Sequence, residues 1–275
     1  MTASITRPPV VAGQFYPDDP QRLEADVQHY LTDADAPEDC EDYPLVKAII
    51  APHAGYPFSG PIAASAYLQL ACTDIPVKRF VLVGPAHYEP VRGLAVSSAA
   101  AFDTPLGRVP IDEKGRDAAL ALPGVHINDI AHRPEHSLEV QLPFLQSLFL
   151  DFTIVPLLVG EVTTDEVAAV LDALWDGPET RIVISSDLSH FHDYATARRL
   201  DSQTAEAIVA LDPAALRDGC ACGQAAIAGL MAVAQRRALS ARRVDLRNSG
   251  DTGGPLDRVV GYGAFIFTTP APSAY

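Results

Sequence analysis

The sequence predicts a three-layer α/β/α fold with a central mixed, largely parallel sheet. Two observations carry the prediction. Near-continuous apolar runs rich in β-branched residues recur along the chain, as strands buried on both faces require. Segments with helical patterning separate them, the alternation expected of a sheet covered on two sides. Taken in order, residues 19–31 follow the turn YPDDP and read as a helix. Residues 46–53 (VKAIIAPH) read as a buried strand. Residues 60–71 (GPIAASAYLQLA) read as a helix with Pro61 at its first position, where a missing N–H costs nothing. Residues 79–87 (RFVLVGPAH) form the next buried strand, and 93–98 and 108–111 are weaker ones. A helix is predicted over 137–150, a strand over 152–160 (FTIVPLLVG), and a helix over 164–175 opened by a Thr163…Glu166 capping box. Residues 181–188 (RIVISSDL) are a strand. Helices at 194–211 and 223–237 follow, and strands at 243–247 and 259–268 close the chain as an antiparallel addition. Residues 7–268 are expected to form one domain and 269–275 a tail. The acidic, Pro-containing stretch 33–44 is expected to be surface loop.

Composition narrows the function. The formal net charge of −15 argues against nucleic acid, whose phosphates need clustered Lys and Arg. No apolar run reaches the roughly 20 residues of a membrane-spanning helix. The N-terminus has no basic region leading into an apolar stretch, so no secretory signal is read and a cytoplasmic location is expected. The four cysteines, Cys40, Cys72, Cys220 and Cys222, are too scattered for a disulfide framework in a reducing compartment. Cys222 stands before a predicted helix, where a thiolate is stabilised, but no base adjoins it and packing is the expected role. No Gly-x-Ser-x-Gly elbow occurs.

The chemistry lies in the histidines. Of eight, three directly follow predicted strands: His53 in APHAG, His87 in GPAH and His190 in SSDLSH. Ligands of open α/β sheets bind beyond the carboxyl ends of the strands. Any one such histidine is more often a satisfied polar group; three at equivalent positions point to a shared site. Neutral imidazole ligates iron, copper and zinc, and non-haem iron often takes two histidines and one carboxylate. His53 and His87 would supply the nitrogens, with Asp187, Asp251 and Glu135 as candidate third ligands. His136 heads the helix expected over 137–150, with Glu135 and Glu139 on one helical face. His136 reads as an acid/base or substrate anchor, the carboxylates equally as groups favoured by the helix dipole. His29 and His126 read as surface residues, His132 as intermediate, and His192 as interchangeable with His190. The glycine loops at 55–60 and 248–254 read as a strand-to-helix turn and as a hairpin or site loop; neither carries a phosphate-loop lysine.

Seven motifs occur in order: VAGQFYP (11–17), PHAGY with Ser59-Gly60 (52–60), GPAH (84–87), TPLG (104–107), EHSLEVQLPF (135–144), SSDLSHF (185–191) and SGD (249–251). Together they resemble the Memo family, whose prokaryotic members are called AmmeMemoRadiSam system protein B. The resemblance implies a fold similar to class III extradiol dioxygenases, which use non-haem Fe(II). It implies His53 and His87 as metal ligands, His190 as an acid/base with Asp187 close by, and His136 near the pocket. Animal Memo carries a metal-associated cysteine that aligns beside Thr252, where this chain has none. Asp251 is therefore expected as the third ligand, in a metal-dependent oxidoreductase of unassigned substrate using Fe(II), or copper. The alternatives implied are a scaffold that binds a small-molecule, anionic or peptide ligand in the same pocket, and a component acting with a radical SAM enzyme and an AMMECR1-like partner. The chain lacks the cysteine cluster of the radical enzyme itself.

Overall fold

The structure, a computed structural model, describes residues 5–37, 40 and 43–270. In chain order the elements are β1 (Thr6–Arg7), α1 (Pro20–Asp33), β2 (Val46–Ala51), α2 (Tyr56–Ala71), β3 (Arg79–Pro85), β4 (Leu94–Val96), β5 (Ala101–Thr104), β6 (Gly107–Pro110), α3 (Glu113–Leu120), β7 (Val125–Ile127), α4 (Asp129–His132), α5 (Leu142–Leu148), β8 (Thr153–Val159), α6 (Thr164–Ala173), β9 (Thr180–Ser185), β10 (His190–His192), α7 (Tyr194–Val209), α8 (Gln224–Arg236), β11 (Ser240–Asn248) and β12 (Val259–Thr268). The large sheet runs β10-β12-β2-β9-β3-β8-β4-β7, with β11 also paired to β12. Its centre, β2-β9-β3-β8, is parallel. The β11–β12 hairpin adds antiparallel to β2. A small separate sheet joins β1, β5 and β6. Among the described residues no helix is long and apolar enough to cross a membrane.

The apolar runs are continuous because alternate residues serve two cores. On β2, Ile49 and Ala51 join the layer of α1, α2 and α5, while Ala48 and Ile50 join that of α6, α7 and α8. β3 divides likewise, with Phe80 and Leu82 to one side and Val81 and Val83 to the other. These are the faces of a strand of period two. Helix α1 covers its side with Leu23, Val27 and Leu31, spaced four apart, each stabilising the fold by about 1.5–3 kcal/mol on burial. Helix α6 starts at the capping box read from the sequence: Thr163 caps the N–H of Glu166, whose carboxylate returns to the N–H of Thr163.

Several boundaries differ from the sequence reading. Helix α2 begins at Tyr56, so the 55–60 segment is mostly helix and Pro61 lies inside it. Pro57 takes the early-turn position instead. The helix expected over 137–150 is a 3₁₀ turn, Glu139–Gln141, running into α5. Residues 135–137 stay outside it because the Glu135 carboxylate accepts the backbone N–H groups of His136 and Ser137. Residues 108–111 fall largely in the small sheet rather than the large one. Cys40 and Cys72 are joined by a disulfide, contrary to the expectation of unpaired thiols. Residues 38–39 and 41–42 of the acidic stretch and 271–275 of the expected tail lie outside the described residues.

Candidate metal centre

Three parallel neighbours deliver one polar residue each at the same height. His53, His87 and Asp187 each lie two residues beyond the ends of β2, β3 and β9. β9 sits between the other two. The 135–137 segment lies across this edge, with the Ser137 hydroxyl donating to Pro85 O at 2.9 Å. His53, His87 and His136 thereby converge. One donor atom from each lies within 4.8 Å of the others, and the ring centroids are 4.7–5.4 Å apart.

A single carboxylate organises two of the rings. Glu135 accepts the backbone N–H of His87 at 2.6 Å and faces its Nδ1 at 2.9 Å. The ionised acid is acceptor-only, so the contact is a donation from His87 Nδ1, which leaves Nε2 as the ring's outward nitrogen. Burial favours a neutral Glu135, but the His87 ring and the backbone donors outweigh it and hold its pKa at about 2. Arg7, buried, donates to the backbone oxygens of His132 and Glu135 and ion-pairs with Glu139 at 2.7 Å. Glu139, assigned with Glu135 to one helical face, instead anchors the N-terminal segment through Val10 N, Val11 N and Tyr16 Oη.

His53 is almost wholly buried, 1% exposed. Its N–H donates to Asp187 Oδ1 at 2.8 Å, and its Nδ1 lies 2.8 Å from Ser185 Oγ. Its Nε2 lies 3.2 Å from Cys222 Sγ and 4.0 Å from Asp187 Oδ2. Burial, then the charge of His87, lowers the His53 pKa to about 3. Burial, then His53, lowers that of His136 to about 4. Burial raises Asp187, against the donated N–H of His53. Burial and then Asp187 push the Cys222 thiol up to about 12. Near neutral pH His53 and His136 are therefore neutral and offer lone pairs.

The donors fit a transition-metal ion. His136 Nδ1 is buried and makes no hydrogen bond, its nearest polar group being Glu135 Oε1 at 3.3 Å; coordination would satisfy it. Three imidazoles with a carboxylate and a thiol alongside suit iron, copper or zinc. Phe15, 4.6 Å from His136 between ring centroids, and Tyr88, 5.7 Å away, flank this group.

The remaining sequence candidates are placed differently. His136 joins the close donor group and Asp251 does not. Asp251 is exposed, accepts from Tyr194 Oη at 2.6 Å and Asn248 N at 2.9 Å, and closes the turn after β11. The hairpin reading of 248–254 therefore applies. Asp187 is turned to His53; among the described residues it makes no hydrogen bond to His190. His190 lies on β10, opposite Val260, and is near enough for its charge to act on His53 and Asp187. A cysteine does stand beside the histidines: Cys222, with its Sγ 3.2 Å from His53 Nε2. Burial raises the Cys222 thiol against the stabilisation a helix start offers. The available signal was Cys222-Gly223 at a helix start: a Cβ on Gly223 would lie 2.7 Å from that of Ser186, so glycine lets this turn close onto the end of β9. His132 is buried, its Nε2 3.0 Å from Ala95 O.

An α/β sheet with histidines converging beyond its parallel strand ends defines the class of protein; comparison with known sequences gives the family. The signature of the Memo-like protein family matches residues 7–266, and the chain belongs to that family. It is 35% identical to a MEMO1 family protein of Methanopyrus kandleri, covering 95% of this chain and 98% of that one. A MEMO1 family protein of Ignicoccus hospitalis is 36% identical over 97% of this chain and its own full length. One from Methanobrevibacter smithii is 34% identical, over 95% and 99%.

Proposed function

We propose that the chain is a metal-dependent oxidoreductase whose ion, Fe(II) or alternatively copper, is held by His53, His87 and His136. The observation that carries this reading is the convergence of the three histidines, one ligand atom of each lying within 4.8 Å of the others. Asp187 and Cys222 stand beside His53 as further donors. In this reading Asp187 takes the carboxylate place expected of Asp251. A bound non-haem ion supplies open coordination positions and one-electron chemistry. The protein's own contribution is to hold neutral imidazoles in place, exclude water around His53, and offer His190 as the base that takes or returns a substrate proton. Asp187 sets the local charge between His53 and His190. Radical SAM and AMMECR1-like proteins remain the proposed partners.

The test is anaerobic purification with metal analysis. Wild type is expected to hold about one ion per chain, with His53→Ala, His87→Ala and His136→Ala each losing it and Asp251→Asn keeping it. A second reading, a pocket that binds an anionic or peptide ligand without turnover, is favoured by the exposure of His87 and Tyr88 at its rim. Wild-type protein that takes up no metal, yet loses binding of a phosphopeptide on His87→Ala, would replace the first reading with this one.

A further inference from the structure

We propose that Tyr67, Gln141 and Ser185 form a one-directional hydrogen-bond relay that positions His53 in a single tautomer, protonated on Nδ1 with the Nε2 lone pair facing the donor group. The relay begins on α2. Tyr67 is fully buried, and its hydroxyl donates to Gln141 Oε1 at 2.7 Å. The amide must therefore turn its NH₂ the other way. There it donates to Pro52 O at 3.0 Å and to Ser185 Oγ at 2.8 Å. Pro52 O can only accept, which fixes the same orientation independently.

Ser185, the last residue of β9, has one hydroxyl proton and two lone pairs. Its Oγ lies 2.5 Å from Ser137 O, another obligate acceptor, so the proton goes there. One lone pair receives Gln141. The other faces His53 Nδ1 at 2.8 Å. With its proton already given to Ser137 O, Ser185 can only accept from the ring, so Nδ1 carries the hydrogen. The free nitrogen is then Nε2, the one beside Cys222 Sγ and Asp187 Oδ2. Free histidine in water favours the opposite tautomer, so the protein imposes this one. Two of the fixed points, Pro52 O and Ser137 O, are backbone atoms in segments that carry His53 and His136. The same bonds that set the proton also hold these segments together. Glu135 takes the corresponding place for His87, accepting from its Nδ1, so the two rings are oriented by different devices.

The tautomer stands independently of any ion; its consequence for metal affinity rests on the proposed metal centre. Nitrogen-15 spectra of the imidazoles in metal-stripped protein decide the first point. His53 is expected to show a pyrrole-type Nδ1 and a pyridine-type Nε2 in wild type. Ser185→Ala is expected to shift it toward the Nε2–H form and weaken Zn(II) and anaerobic Fe(II) binding about 10–100-fold. Ser185→Thr, which keeps the hydroxyl, is expected to restore both, a rescue that lost packing alone would not give. Tyr67→Phe should act in the same direction more weakly, since Pro52 O still orients the amide. A pyridine-type Nδ1 in wild type, or Ser185→Ala with unchanged tautomer and affinity, overturns the relay, and the wild-type spectrum decides even where a variant fails to fold. The expected tautomer in a protein that binds neither metal leaves the relay standing and removes the metal centre.

Discussion

At the scale of the residue, the site keeps buried imidazoles unprotonated. Burial, and then the neighbouring imidazoles, lower the pKa values of His53 and His136 to about 3 and about 4, from 6.5. Between those values and 6.5 the unfolded chain binds protons that the folded chain refuses, so stability falls as pH drops through this window. Each histidine contributes a slope of up to about 1.4 kcal/mol per pH unit. Glu135, lowered from 4.5 to about 2, acts in the same sense over the lower window. Asp187, whose pKa is raised, acts in the opposite sense, binding a proton more readily when folded. Denaturant titrations of metal-stripped protein are thus expected to show full stability above about pH 6.5 and progressive loss below it. His136→Asn should flatten the profile between pH 6.5 and 4; an unchanged slope would show that His136 is already free to protonate when folded. The positions of His53 and His87 were legible because strand-end histidines have a fixed address in a parallel sheet. Asp251 was less legible, because an aspartate after a glycine reads alike as a turn-closing acceptor and as a ligand. Only the folded hairpin, with Tyr194 and Asn248 occupying the carboxylate, separates the two.

At the scale of the element, the segment 135–141 does two jobs and forms no regular α-helix. The sequence EHSLEVQ has helical spacing, yet Glu135 binds its own downstream N–H groups and His87, while Glu139 binds the N-terminal strand region. Local side-chain bonds of this kind compete with helix formation, which is why periodicity placed the helix start several residues early. Glu135→Gln keeps the shape but replaces an acceptor-only group with an amide that cannot satisfy all the same donors. Its expected effect is metal affinity lowered about 10–100-fold with the fold retained, read by metal titration beside circular dichroism. An affinity equal to wild type would assign Glu135 to loop structure alone. The main strands were legible because their two-sided burial writes itself as unbroken apolar runs. β1, β5, β7 and β10 were not, being two to four residues long and too short to display a period.

At the scale of the whole molecule, two apolar layers clamp the sheet while its polar traffic is confined to the edges. At the strand starts, away from the histidines, the Lys47 ammonium donates to the backbone oxygens of Trp175, Gly177 and Thr180. Burial lowers its pKa to about 7. The Cys40–Cys72 bridge ties the segment before β2 to the end of α2. Alkylation under denaturing, non-reducing conditions is therefore expected to label Cys220 and Cys222 and spare the other two. In oxidising buffer Cys72→Ser should lower stability by about 2–4 kcal/mol. Labelling of all four thiols in freshly isolated protein would mean that the bridge does not form. Cysteine count and compartment pointed the other way, because composition carries no information on which thiols the fold brings within bonding distance.

His53, His87, His136 and Cys222 enter from four remote stretches of chain, and no two consecutive elements hold a complete set. An ion held by this set would recognise only the finished fold. By mass action it would then favour the native state by about 2.7 kcal/mol when present at a hundred times its dissociation constant. A late intermediate in which α8 or the 135–141 crossing has yet to dock would be blind to it. Metal uptake would thus serve as a built-in gauge of completed folding, and the dependence of melting temperature on metal concentration is where it would be read.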